Sequence, residues 1–252
     1  VDAKPDYMGL VFAPSKRQVT VDQAKTLVEE LHKQYANRYN RNAEQYSNNV
    51  VQAGTITDVV QDGTIINALQ EETATGDAHE GTLTSTENIS PTLIHQEFIK
   101  TVGIFVNETL ENLVTIATEV NLDAVQLHGD EDEAFIQSLK ERTNVEVWKA
   151  VQIRSAADAE AWIDSSADML LFDAYHKDER GGTGEVFDWS CLDEFERPFM
   201  LAGGIDGTNV ARAIRTVRPY GIDISSGIET EGVKDDKKIK AFTNIVRTIA
   251  MP

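Results

Sequence analysis

The sequence predicts an α/β fold of the (β/α)8 TIM-barrel type, with seven of its strands legible and a polar insertion at 36–97. Three observations carry this. From residue 98 onward, short β-rich runs alternate with amphipathic helical stretches at a regular beat. The runs are nearly unbroken in apolar residues, as in Met169-Leu170-Leu171-Phe172 and Ile104-Phe105-Val106, the pattern of strands covered on both faces. Finally, acidic or glycine-rich segments stand directly after several of these runs, where a barrel places its active-site loops.

In chain order, the first strand reads from Tyr7 to Phe12. A helix follows from Thr20 to Tyr35, with Thr20 as its N-cap and Gln23 as capping-box partner three residues later. Later strands are expected at Ile99 to Val106, Ala124 to Leu127, Val145 to Ala150, Met169 to Asp173, Phe199 to Ala202 and Gly221 to Ile224. Helical stretches fall near Leu110 to Glu119, Glu131 to Arg142, Ala156 to Ser165, Trp189 to Phe195, Asn209 to Val217 and Asp235 to Ala250. Seven strands are thus legible where a barrel has eight. A whole barrel usually takes about 250 residues, so the length fits while the strand count does not. The discrepancy is explained by the stretch from Ala36 to Glu97, 62 residues rich in Asn, Thr, Gln and Gly with nine acidic and two basic side chains. It is too polar to build a large core and too long for an ordinary loop. Within it, alternating runs around Asp62-Gly63 suggest a hairpin inside Val50 to Ala68, whereas Glu71 to Ser90 reads as flexible surface. The whole is expected to be one domain, residues 1–252, interrupted by the insertion at 36–97.

Composition narrows the function. The 252 residues hold 23 Lys+Arg against 42 Asp+Glu, a net charge of −19, which disfavours nucleic acid and anionic membranes as partners. An anionic small molecule stays possible, because clustered backbone N–H groups can outweigh a distant net charge. No run of about 18 apolar residues and no signal-peptide core is present, so the expected location is cytoplasmic. The one cysteine, Cys191, excludes an intrachain disulfide and a cysteine-based zinc cluster. It falls on an expected outer helix and reads as inert.

The richest motif is Asp173-Ala174-Tyr175-His176-Lys177-Asp178-Glu179-Arg180-Gly181-Gly182-Thr183-Gly184. An acid ends an apolar strand there, in the position of a catalytic group or, more plainly, of a loop-anchoring carboxylate. Gly203-Gly204 and Ser225-Ser226-Gly227 follow the next two strands. A single Gly-Gly pair makes only a turn, but Gly182, Gly184, Gly203, Gly204, Ser226 and Gly227 at three consecutive strand ends point to a phosphate cradle. At other strand ends stand Arg17, whose planar fork suits a carboxylate or phosphate, and Gln126-Leu127-His128-Gly129. Arg17 could equally be a solvated loop residue, as Lys16 reads, and His128 a hydrogen-bonded histidine at a strand end. No spacing of histidines or carboxylates suggests a metal.

In this order the motifs resemble the phosphoribosylanthranilate isomerase family of tryptophan biosynthesis, whose fold is a β/α barrel. The matching segments are Gly9-Leu10-Val11-Phe12-Ala13-Pro14-Ser15-Lys16-Arg17, Val102 to Asn107, Val125 to Gly129, Leu170 to Asp173, Gly181 to Gly184 with Phe187-Asp188-Trp189, Ala202-Gly203-Gly204, and Val217-Arg218-Pro219 through Asp223 to Glu229. They cover residues 4–35 and 98–250. The resemblance implies a cofactor-free Amadori rearrangement of N-(5′-phosphoribosyl)anthranilate to 1-(2-carboxyphenylamino)-1-deoxyribulose 5-phosphate. It assigns Asp173 as general acid, with a pKa that burial would have to raise, and Arg17 to the anthranilate carboxylate. The glycine loops would take the phosphate, while Gln126, His128 and Asp223 would contact or support the substrate. The general base that the resemblance implies is a cysteine after the first strand, in a Lys-Ile-Cys-Gly-type motif, and these residues contain no such motif. By that resemblance the start at Val1 corresponds to the tail of the first helix, which implies a (β/α)8 TIM barrel with its first βα unit missing and the insertion between the second helix and the third strand. Truncation, low stability and loss of the base are the expectations. Fusion to, or association with, neighbouring pathway enzymes is left open. The alternatives are another phosphosugar-processing barrel, which the Arg17 fork and Gln126-Leu127-His128-Gly129 disfavour, and a non-catalytic phosphate-binding barrel that uses the insertion to recruit a partner.

Overall fold

The computed structural model describes residues 5–50, 56–61, 64–69, 99–174 and 188–250, with side chains described for 5–35, 99–174 and 188–249. The chain divides into two compact units, Val1–Glu29 with Ile99–Pro252, and Glu30–Phe98. In the first unit, β1 (Tyr7–Val11), β4 (Lys100–Phe105), β5 (Ala124–Leu127), β6 (Glu146–Ile153), β7 (Met169–Ala174), β8 (Phe199–Leu201) and β9 (Gly221–Ile222) form one seven-stranded sheet in that order. Every pairing in it is parallel. Helices α2 (Leu110–Val120), α3 (Glu133–Arg142), α4 (Ala156–Glu160) and α5 (Val210–Val217) form the crossovers with a 3-10 turn at Trp189–Leu192, and α6 (Asp236–Ala250) follows the last sheet strand.

The sheet is curled. Tyr7 on β1 and Trp148 on β6 make an edge-to-face contact with ring centroids 4.8 Å apart. Their strands are three places apart in the sheet, which in a flat sheet is about 14 Å. Alternation sorts the side chains accordingly. Val102, Ala124, Trp148, Ala150, Leu171, Met200 and Ala202 pack together on the inner face. Their immediate neighbours Val125, Val147, Val151, Leu170, Phe172, Phe199 and Leu201 pack against the helices on the outer face. Burying side chains of this size stabilises by about 1.5–3 kcal/mol each, and a sheet buried on both faces collects that gain twice along each strand. The architecture is that of a TIM-like barrel wall. Among the described residues it has two unpaired edges, β1 and β9.

The second unit contains the rest of α1 (Val21–Val50) and an antiparallel hairpin of β2 (Ile56–Gln61) with β3 (Thr64–Leu69), running from Ile56 opposite Leu69 to Gln61 opposite Thr64. The hairpin matches expectation. The helix does not, since it was expected to stop at Tyr35 and continues to Val50. Its asparagines read as loop, but residues 36–50 contain neither Gly nor Pro, so no residue in them compels a stop. Residues 71–90, expected to be flexible surface, lie outside the described residues.

Local signals account for the helix starts. Thr20 and Gln23 form the expected capping box, with Thr20 N donating to Gln23 Oε1 at 2.9 Å and Gln23 N to Thr20 Oγ1 at 3.2 Å. Asp132 accepts from Phe135 N at 2.9 Å to begin α3, and Thr109 accepts from Asn112 N at 3.3 Å to begin α2. The helix expected over Ala156 to Ser165 is shorter, with α4 ending at Glu160 and turns following. Trp189 to Leu192 forms a 3-10 turn instead of a longer α-helix.

Candidate active site

Asp173 is the next-to-last residue of β7 and alternates with Leu171 and Met169 on the inner face, so it points into the mouth of the curled sheet with only 5% of its surface exposed. Gln126 occupies the matching inner position on β5 and is 3% exposed. Its amide lies 2.7 Å from His128 Nδ1. With the amide N–H donating to Nδ1, a neutral imidazole carries its proton on Nε2, and Nε2 stands 3.4 Å from Asp173 Oδ2. Buried, that nitrogen finds no hydrogen bond among the described residues.

Asp223 follows β9, its backbone tied to Leu201 by a 2.9 Å hydrogen bond. The side chain opens to the mouth yet is ringed by protein. That crowding raises its pKa, and the Asp173 charge adds to the rise, against the pull of His128 and Lys234. Two carboxylates and an imidazole thus converge from three strand ends.

Glycines shape the floor. Gly203 has φ +83, and a Cβ there would stand 2.7 Å from Asp173 Oδ1, so only glycine lets the β8 turn lie against the acid. Gly204 also has a positive φ, and its carbonyl accepts from Asn209 Nδ2 at 2.8 Å. Gly227 packs its α-carbon against the carbonyl of Ile205, which brings the Ser226-Gly227 turn onto the Gly203-Gly204 turn. Gly182 and Gly184 lie outside the described residues.

The loop after β1 folds back, with Val19 N donating to Val11 O at 2.9 Å and Arg17 N to Ser15 Oγ at 3.1 Å. Arg17 then reaches the loop after β9, where its Nε and Nη2 lie 3.0 and 2.7 Å from Glu229 Oε1. In a flat sheet those two edge strands would stand about 29 Å apart, so this contact measures how far the wall has curled.

Two groups under the site carry no sequence-level assignment. Lys149, on the outer face of β6, pairs with Glu131 at 3.2 Å, both side chains 3% exposed. Glu131 also accepts from Asn107 N (2.6 Å) and Gly129 N (2.8 Å), and Lys149 donates to Gly129 O (2.8 Å). This cluster fixes the strand-end turns beside His128, including Asn107 at φ 53. A lysine inside the apolar run Val147-Trp148-Lys149-Ala150-Val151 was the legible signal. Cys191 lies in the 3-10 turn packed against the outer-face core. Burial and the nearby Asp188 push its thiol up, away from a reactive thiolate.

A family model described as N-(5′-phosphoribosyl)anthranilate (PRA) isomerase matches residues 56–245. The chain belongs to that family. An N-(5′-phosphoribosyl)anthranilate isomerase of Thermoanaerobacter sp. (strain X514) is 37% identical over 250 residues, spanning 98% of this chain and 90% of the relative. One from Endomicrobium trichonymphae is 45% identical over 151 residues, 60% of this chain and 74% of that protein. Among solved structures, phosphoribosyl anthranilate isomerase from Thermotoga maritima superposes with a TM-score of 0.66 at 26% identity, covering 98% of this chain and 90% of its own. A further isomerase structure, in complex with reduced 1-(o-carboxyphenylamino)-1-deoxyribulose 5-phosphate, gives 0.62 at 25% identity, covering 98% of this chain and 90% of its own.

Proposed function

We propose that this family member binds N-(5′-phosphoribosyl)anthranilate and serves its Amadori rearrangement to the 1-amino-2-ketose, the isomerase step of tryptophan biosynthesis. The carrying observation is the inward-facing Asp173 with His128 and Asp223 at the strand ends, flanked by an arginine fork and by interlocked glycine turns. Asp173, in its protonated form, gives a proton to the furanose oxygen as the C1′–O bond breaks and the anthranilate nitrogen becomes an iminium. Loss of the C2′ proton to a base then leaves an enolamine, which tautomerises to the ketone. The redox change is internal to the sugar, and no cofactor enters the balance.

Arg17 holds the ring carboxylate, while the turns at Gly203-Gly204 and Ser226-Gly227, with Gly182 and Gly184, hold the phosphate. Gln126 orients His128, whose Nε2–H meets the substrate or Asp173. Cys191 does not supply the base, since it packs against the outer-face core on the far side of the wall. The finer architectural reading is one barrel domain interrupted by residues 36–97. A further βα unit between the β9 and β1 edges would complete its ring and bring the base into the mouth; the open edges and the curl support this.

The test compares the parent chain with Asp173→Asn. The reduced product analogue should bind both within a few-fold, while turnover of phosphoribosylanthranilate, measured with any base-bearing unit restored, falls at least 100-fold in the variant. Equal turnover would remove Asp173 from the acid role, and no analogue binding by the parent would remove the substrate assignment.

A further inference from the structure

We infer that Glu229 is a positioning residue for the substrate carboxylate, fixing the Arg17 fork, and that Lys234 joins this post to the phosphate turn at Ser225. The inference rests on the substrate reading above and extends it to residues which that reading leaves without a role.

The local sequence builds the post. Glu231 (φ 53) and Gly232 (φ +80) both take left-handed backbone, as the two central residues of a tight hairpin turn require. That turn joins β10 (Glu229–Thr230) to β11 (Val233–Lys234) and sets Lys234 directly across from Glu229. Thr230 Oγ1 donates to Asp235 at 2.7 Å, and Lys238 Nζ donates to the Glu229 carbonyl at 2.6 Å, so the hairpin is pinned at its base.

Glu229 is therefore a fixed acceptor. Its side chain is 7% exposed, and one oxygen, Oε1, takes Arg17 Nη2 at 2.7 Å and Lys234 Nζ at 3.1 Å. Burial alone would push its carboxyl up. The hydrogen bonds from Lys234 and Arg17, with their charges, outweigh that and hold it below the usual range. Two cations share one anion, leaving the cluster with a net charge of +1. Arg17 spends Nε and Nη2 on this contact, and neither bond uses Nη1. With its side chain 31% exposed, the guanidinium is clamped along one edge while part of it stays open to solvent.

Lys234 Nζ meanwhile donates to Ser225 O at 2.8 Å and lies 3.2 Å from Ser225 Oγ. One network thus runs from the arginine assigned to the substrate's ring carboxylate to the turn assigned to its phosphate. An orientation fixed in advance spares the entropy of ordering a long side chain on binding, so the network sets the spacing between the two anion-holding ends before the ligand arrives.

The deciding experiment is calorimetric titration of the parent chain, Glu229→Gln and Glu229→Asp with two probes. One is reduced 1-(o-carboxyphenylamino)-1-deoxyribulose 5-phosphate, and the other is the same molecule without its ring carboxylate. Glu229→Gln should bind the carboxylated probe about tenfold more weakly and the other within twofold of the parent, with Glu229→Asp recovering part of the loss. Should Glu229→Gln fail to fold, Glu229→Asp is read alone, with a smaller loss expected that is confined to the carboxylated probe. Equal losses for both probes, or no loss, would reduce Glu229 to a structural residue. Tighter binding of the carboxylated probe would make it a competitor for Arg17. Each of these overturns the inference while leaving the substrate reading intact. Failure of the parent chain to bind either probe overturns both.

Discussion

Two cation–glutamate pairs lie near the mouth, and they differ in what remains unspent. Lys149 and Glu131 are both 3% exposed, and the Glu131 carboxylate is filled by the ammonium and two backbone N–H groups. At the other pair the Glu229 side chain is 7% exposed, but Arg17 is 31% exposed and shares its anion with Lys234. The first arrangement is saturated, as a buried charge must be if it is not to cost several kcal/mol. The second carries a surplus cation at the entrance. Saturation marks a group that holds turns in place, and surplus marks one that waits for a ligand.

The sharpest way to break this contrast is Lys149→Met. It leaves Glu131 buried without its cation and should destabilise the fold by about 3–5 kcal/mol in chemical denaturation. A loss below about 1 kcal/mol would show that the two pairs are equivalent. Arg17→Met should behave in the opposite way. Analogue binding is expected to weaken by about 10–100-fold, while unfolding free energy moves by under about 1 kcal/mol, the scale of a pair with one solvent-exposed partner. A large stability loss would place Arg17 with the structural pair.

The smallest effect concerns Asp223, which makes no ion pair among the described residues although His128 and Lys234 lie close enough to pull on its charge. Its pKa is raised by crowding and by Asp173, so the folded state binds its proton more tightly than the unfolded chain does. Stability is therefore lost as pH rises from the unfolded value, 3.8, through the folded one. Asp223→Asn should accordingly raise Tm at pH 7, with the gain fading as pH falls toward 4. A gain that persists unchanged at low pH would assign the effect to packing instead of charge.

The barrel wall was legible because parallel strands buried on both faces write themselves as apolar runs, and all seven sheet strands fall where those runs stand. Ends were less legible. Helix α1 outruns its expected stop because polar residues without Gly or Pro are neutral about ending a helix, and α4 stops early. At the site, Asp173, Gln126 and His128 could be read because each sits at the end of a strand. Glu229 appeared within a motif, but its meaning did not, since the contact with Arg17 joins positions 212 apart and no local pattern encodes it. Glu131 stood at an expected helix start, where an acid has an ordinary capping explanation that hides its pairing with Lys149.

That separation of 212 residues also sets a timetable. At about 5–20 residues per second, roughly 10–40 s of synthesis pass between the appearance of Arg17 and that of Glu229. Throughout that interval the arginine has been made and its anchoring carboxylate has not. The cationic entrance can therefore assemble only once synthesis has passed Glu229, with nearly all of the chain already made.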